Sequence, residues 1–249
     1  MNLFLTLFAG LALGTVMGLL GGGGGILAVP LLLALGLPYA SATTTSLVVV
    51  GIGALAGLST HARAGRVDWK IGGAFGLLGS AGAILGSRAS TVVDLRLQMA
   101  GFILLLLAAA WGMLRRRPAA SGEGSEGDRE RRWLRIFLVA SVVGFITGFF
   151  GVGGGFIAVP ALVLAVKMPM KRASATALLV IAINTAVAFA AHGVSHLDHQ
   201  VTVAIGLATA VGAVVGAVLQ PRVNAVNLQR AFGILLLLVA AYETVQLLR

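Results

Sequence analysis

The chain has 249 residues and no cysteine, with 58% hydrophobic and only 10% charged residues, and a mean hydropathy of +1.00. Soluble domains carry about a quarter charged residues, so a water-soluble fold is excluded, as are disulfides, thiolate metal sites and thiol catalysis. The net charge of +10 does not signal nucleic acid, because seven of the 18 Lys and Arg residues fall within 115–135 and most others flank apolar segments, where they orient a membrane protein.

Apolar stretches of 17 to 19 residues recur along the chain, each long enough to cross a hydrocarbon core of ~30 Å as a helix. The expected fold is an all-α polytopic membrane protein. The first stretch, residues 3–37, would run ~50 Å as one helix, which is too long. Five consecutive glycines, 21–25, break it into 3–20 and a short arm, 26–37. Residues 3–20 lack the basic start of a signal peptide and have a mid-chain counterpart at 134–150, so they are read as part of the mature fold. Spans are expected at 42–60, 71–87 and 97–114. The stretch 115–135 follows, containing SGEGSEGD at 121–128; it lacks hydrophobic periodicity and reads as a flexible linker. Beyond it come 134–150, a second glycine break at 151–155, a short arm at 156–166, and spans at 173–191, 201–219 and 231–248.

The two halves are copies. Residues 14–30 read GTVMGLLGGGGGILAVP and residues 144–160 read GFITGFFGVGGGFIAVP. At an offset of 130, Gly14, Gly18, Gly21, Gly23, Gly24, Gly25 and Pro30 recur as Gly144, Gly148, Gly151, Gly153, Gly154, Gly155 and Pro160. One inserted residue later, Pro38, Thr45 and His61 recur as Pro169, Thr176 and His192. At 130 again, Asp68, Gly76, Gly82 and Gly86 recur as Asp198, Gly206, Gly212 and Gly216. Residues 1–114 are thus a first membrane repeat, 115–133 a cytoplasmic linker and 134–249 a second repeat.

Charge decides between two topologies. If each broken stretch crosses once, the repeats are parallel and the Lys and Arg residues divide eleven to seven between the two sides. If each goes in and returns, the repeats are inverted and the division is fifteen to three, with Arg88, Arg96 and Arg249 alone on the far side. The positive-inside rule selects the inverted arrangement, linker cytoplasmic and both termini extracytoplasmic, in the cell (inner) membrane. Arms of 12 and 11 residues reach about 17–18 Å, half the bilayer. The two glycine breaks are therefore expected to enter from opposite faces and approach each other near the midplane, buried in protein or lining a polar cavity.

Glycines at a helix start expose backbone N–H groups at the positive end of the helix dipole, which is an anion site. Gly22, Gly23, Gly24, Gly25 and Ile26, with Gly153, Gly154, Gly155 and Phe156, are the candidate substrate-binding residues. Matched Gly/Pro-interrupted segments in two halves also point to a transporter site. Close helix packing is the competing explanation, and for Gly76, Gly82, Gly86 and their counterparts it is the better one. Pro30 and Pro160 each free a carbonyl, of Ile26 or Phe156, that either faces a cavity or marks a kink packed by neighbours. Thr44, Thr45, Ser174 and Thr176 supply hydroxyls to an anion or bond to their own backbone. Asn184 is an amide deep in a span and requires a partner or a cavity. His61 with Asp68, and His192 with Asp198, are candidate proton-coupling pairs or interfacial residues. The sequence calls for neither metal nor cofactor.

At these residues, the repeated stretches 21–30 and 151–160, the chain resembles the sulfite exporter TauE/SafE family, also called the toluene sulfonate uptake permease group. The resemblance covers essentially the whole chain. It implies secondary transport of a small sulfur-containing anion, sulfite or an organosulfonate, by alternating access, and no enzymatic activity. A passive small-anion channel of the same fold is the alternative. The partners are the anion and membrane lipid, with a homodimer as a candidate assembly and no nucleic acid. One departure is that Gly22 stands where the second copy has Val152.

Overall fold

The computed structural model describes residues 3–115, 129–150, 155–192 and 199–248, and these are helical almost throughout. Ten α-helices follow in order: α1 (Leu3–Leu20), α2 (Gly25–Ala34), α3 (Tyr39–Arg63), α4 (Trp69–Ser90), α5 (Leu95–Arg115), α6 (Arg129–Phe150), α7 (Gly155–Pro160), α8 (Met170–His192), α9 (His199–Leu219) and α10 (Ala225–Leu248). Six of them, α3, α5, α6, α8, α9 and α10, are long and apolar enough to cross a membrane. The helix expected at 71–87 forms as α4, but six glycines and three serines in its 22 residues keep it out of that group. Large apolar side chains such as Phe4, Leu77, Leu104, Leu207 and Leu238 face outward from the bundle, as lipid contact requires.

Local chemistry sets the helix ends. Gly21, at φ 74°, ends α1 in a conformation that L side chains rarely adopt. Asp68 caps α4, its Oδ1 accepting the Ile71 N–H at 3.0 Å. Pro160 closes α7, and the next five residues widen into a π-helical turn, Ala161–Ala165, with Val166 N–H donating to the Ala161 carbonyl. The short arms are therefore one residue earlier in onset than the sequence suggests, and the second is not uniformly α-helical. Helix α6 begins at Arg129, inside the stretch 115–133 expected to be linker.

Contacts at the glycines fix which helices pair and which way each runs. Gly10, Gly14 and Gly18 of α1 face Ile205, Thr209 and Ala213 of α9, numbers rising together, so the two helices are parallel. Gly144 and Gly148 of α6 face Gly79 and Ala83 of α4 in the same sense. Gly53 and Gly57 of α3 face Thr209 and Ala213 of α9, and Gly72 and Gly76 of α4 face Thr176 and Ile183 of α8, both again parallel. At the centre α3 and α8 are antiparallel, since Gly51 faces Thr185 whereas Gly57 faces Leu178. Helices α5 and α10 are antiparallel as well: Gln229 bonds to the Met113 carbonyl and Gly233 faces Ala110.

Exchanging the halves maps this packing onto itself. The α1–α9 pair becomes α6–α4, α3–α9 becomes α8–α4, and α3–α8 and α5–α10 map onto themselves. Each half thus completes the other's core, and neither repeat buries its own first helix. Because α1 and α3 both run parallel to α9, the arm between them returns: Gly24 lies against Met17 and Leu13 of α1, and Gly25 against Val50 of α3.

Candidate substrate site at the glycine breaks

The first break is a single 3-10 turn, Gly22–Gly24, held to α1 by the Gly21 N–H donating to the Met17 carbonyl at 2.8 Å. It packs backbone to backbone against the second half. A Cβ on Gly22 would collide with the carbonyl of Gly155, and one on Gly21 with the carbonyl of Ser174. Gly23 lies against Phe232 and Leu235 of α10. Gly25 has ordinary room, its Cβ position 3.5 Å from Val50 Cγ1, and Gly155 packs on Ile181. Val50 lies in the middle of the candidate span Ser41–Arg63, and Ile181 in the middle of Met170–Phe189. The starts of α2 and α7 accordingly meet at mid-bundle, beside the crossing of α3 and α8. Ile26 and Phe156 are both buried there, with Phe156 edge-on to Phe102 at 5.5 Å. Gly153 and Gly154 lie outside the described residues.

No side chain caps the 3-10 turn or α2. The first-turn N–H groups of α2 thus lack the usual side-chain acceptor, and donors of that kind serve a small anion without a buried cation.

The hydroxyls are not gathered at this junction. Thr45 lies five residues before Val50 and Thr176 five before Ile181; because α3 and α8 are antiparallel, the two sit on opposite sides of it. Thr45 Oγ1 is 3.4 Å from Thr202 Oγ1, and Thr176 Oγ1 accepts the Asp68 N–H at 3.1 Å. Ser174 Oγ is within 3.0 Å of the Met170 carbonyl and accepts from Gln220 Nε2 at 2.6 Å. Gln220 Nε2 also reaches the Leu19 carbonyl at 3.2 Å. In this structure Ser174 bonds to its own backbone, one of the two readings its sequence position offered, and Thr176 accepts from the start of α4. Thr44 is half-buried on α3. Asn184 pairs with Ser80 of α4 at 3.0 Å, at the same level as the junction.

The proposed His61–Asp68 pair does not form. His61 is fully buried and its Nε2 donates to the Gly18 carbonyl of α1 at 3.0 Å. Arg66, which can only donate, lies 3.4 Å from His61 Nδ1 and donates to the Ala217 carbonyl of α9 at 3.2 Å. One tautomer satisfies both neighbours, and the ring with its arginine ties the ends of α1, α3 and α9 together. Asp68 is occupied as the α4 cap. The His192 side chain and Asp198 lie outside the described residues. Sequence reasoning passed over Ser80, Thr147, Thr202, Thr209 and Gln220, all buried polar groups. Ser80, Thr147, Thr202 and Thr209 are uncharged polar residues within long glycine-rich or apolar helices, and that was the available signal; Gln220, in the turn after α9, carried none.

A paired helix break at the centre of a duplicated helical bundle is a transporter's arrangement, and comparison with known proteins agrees. The family described as Sulfite exporter TauE/SafE matches residues 6–243. The chain belongs to this family. A "Probable membrane transporter protein" of Xylella fastidiosa (strain Temecula1) is 36% identical over 97% of this chain and 94% of its own length. "Probable membrane transporter protein YunE" of Bacillus subtilis is 26% identical over 96% of each chain. A Methanocaldococcus jannaschii relative, "Probable membrane transporter protein MJ0441", is 29% identical over 73% of this chain and 68% of its own. No solved structure matches. The protein is a multi-pass membrane protein of a transporter family.

Proposed function

We propose that the chain is a secondary transporter for a small sulfur-containing anion, sulfite or an organosulfonate, working by alternating access. The anion is held at the meeting point of the two glycine breaks by backbone N–H groups. The observation that carries this reading is the contact of Gly22 with Gly155, where breaks from the two halves abut at mid-bundle with no side chain between them. Contact between the halves at that level favours a carrier over a passive channel, because a solute passes only when the halves part. The sulfur chemistry follows from the family. Flux of labelled sulfite into proteoliposomes is expected to saturate and to follow an imposed ion gradient; a non-saturating flux indifferent to every gradient would make the protein a channel.

Inverted repeats are one arrangement that supports alternating access. Supporting them, α1 and α6 point in opposite directions, and their ends divide the cations fifteen to three. The linker then faces the cytoplasm. A membrane-impermeant thiol reagent confined to the inside is expected to label the Ser125→Cys protein, but not a cysteine appended after Arg249. Labelling of both from inside would restore parallel repeats.

A further inference from the structure

Exchanging the halves preserves the helix pairing around the glycine junction but not the polarity of the side chains beside it. From that difference we infer that the anion is held on the second half's side, by Thr147, Asn184 and Ser80, whereas Met17 closes the first half's side. This rests on the transport reading above. In the first half the Met17 side chain fills the angle between the glycine turn and α3: its Cγ stands where a Cβ of Gly24 would fall, and its Sδ is 3.2 Å from a Cβ position on Gly53. The repeat offsets of 130 and 131 put Thr147 in the place of Met17 and Asn184 in the place of Gly53. At the equivalent positions of the second half, a thioether on α1 and a bare backbone on α3 are replaced by a hydroxyl on α6 and an amide on α8.

Both polar groups have hydrogen-bonding capacity to spare. Thr147 is 9% exposed and its Oγ1 has no hydrogen-bond partner, an arrangement that costs free energy unless a ligand fills it. Ser80 Oγ lies 2.8 Å from the Gly76 carbonyl and 3.0 Å from Asn184 Oδ1. A serine has one hydroxyl hydrogen. If it goes to the carbonyl, the amide nitrogen must be the donor toward Ser80, which turns the Asn184 side chain so that its second N–H is free. Asn184 is three residues along α8 from Ile181, on which Gly155 packs, so these donors border the junction. An uncharged O–H and N–H suit a small oxyanion. On the first half's side Thr209 Oγ1 is also buried without a partner, but its methyl group is the part turned toward Gly53, beside Met17 Sδ.

The absence of cysteine makes the test direct. The Thr147→Cys and Thr209→Cys proteins in membranes would be treated with sulfonatoethyl methanethiosulfonate, itself a small sulfonate. Labelling at 147 is expected to be at least about tenfold faster than at 209 and to be slowed by sulfite, sulfate or sulfoacetate. Equal rates, or no reaction at 147, would overturn the inference. Biased labelling that no anion slows upholds the one-sided site, because the reagent is an anion, and contradicts the substrate class proposed above. Thr147→Val and Thr209→Val give a second reading in calorimetry with sulfite or sulfoacetate: a loss of anion affinity of about tenfold or more for the first and none for the second. Equal losses would mean a symmetric site.

Discussion

Gly22→Ala is expected to stop transport, a fall of more than about a hundredfold. Overpacking by side chains costs about 1–3 kcal/mol because they can turn away. Here the added carbon meets the Gly155 carbonyl, and backbone has no rotamer to offer, so the two breaks must separate at the point where they need to meet. Gly25→Ala is the control. Its Cβ would stand 3.5 Å from Val50 Cγ1, an ordinary contact, so that protein should fold and melt as the parent does, and any loss of transport then reports on the site itself. Uptake and thermal unfolding of both purified variants check this. Gly22→Ala behaving as the parent in both assays would mean that the breaks do not touch.

Gly14→Leu, or its counterpart Gly144→Leu, is expected to remove most folded protein, at a cost above about 3 kcal/mol. A Cβ on Gly14 collides with the Thr209 carbonyl, and one on Gly144 with the Gly79 carbonyl. These glycines let α1 lie on α9 and α6 on α4 at backbone contact, as small residues spaced four apart do in membranes. Because each pair joins one half to the other, its loss separates the halves rather than trimming an edge. Gly73→Leu is the contrast: open space surrounds its Cβ position, and the melting temperature should stay the same or rise. A folded, monodisperse Gly14→Leu protein with the parent's melting temperature would remove α1–α9 packing from the account.

Much of this fold was legible because glycine and proline act on the backbone alone. The ends of α1 and the existence of two broken arms followed from residues 21–25 and 151–155, and the repeat from their offset. What the residues could not name was the partner. Gly14 and Gly18 announce a close approach, yet nothing in the string says that α9 of the other half supplies it, since many apolar helices here carry glycines at the same spacing. The same blindness misplaced His61. A carboxylate seven residues on looked like its partner, but a turn intervenes, Asp68 is drawn to its own helix start, and the ring finds a carbonyl 43 residues earlier in the chain. Backbone acceptors of this kind leave no mark in composition. Thr147 was passed over for a related reason: its meaning lies in Met17 at the equivalent position, and only the contacts of Met17 show what that position faces.

The most direct measurement is calorimetric titration of the purified protein with sulfite, sulfate, sulfoacetate and chloride. The account predicts saturable binding of one sulfur anion over chloride, lost or strongly weakened in Gly22→Ala, where the added carbon forces the two breaks apart. Undiminished binding in that variant, or the absence of binding to every sulfur anion by the parent, would contradict an anion held at the glycine breaks.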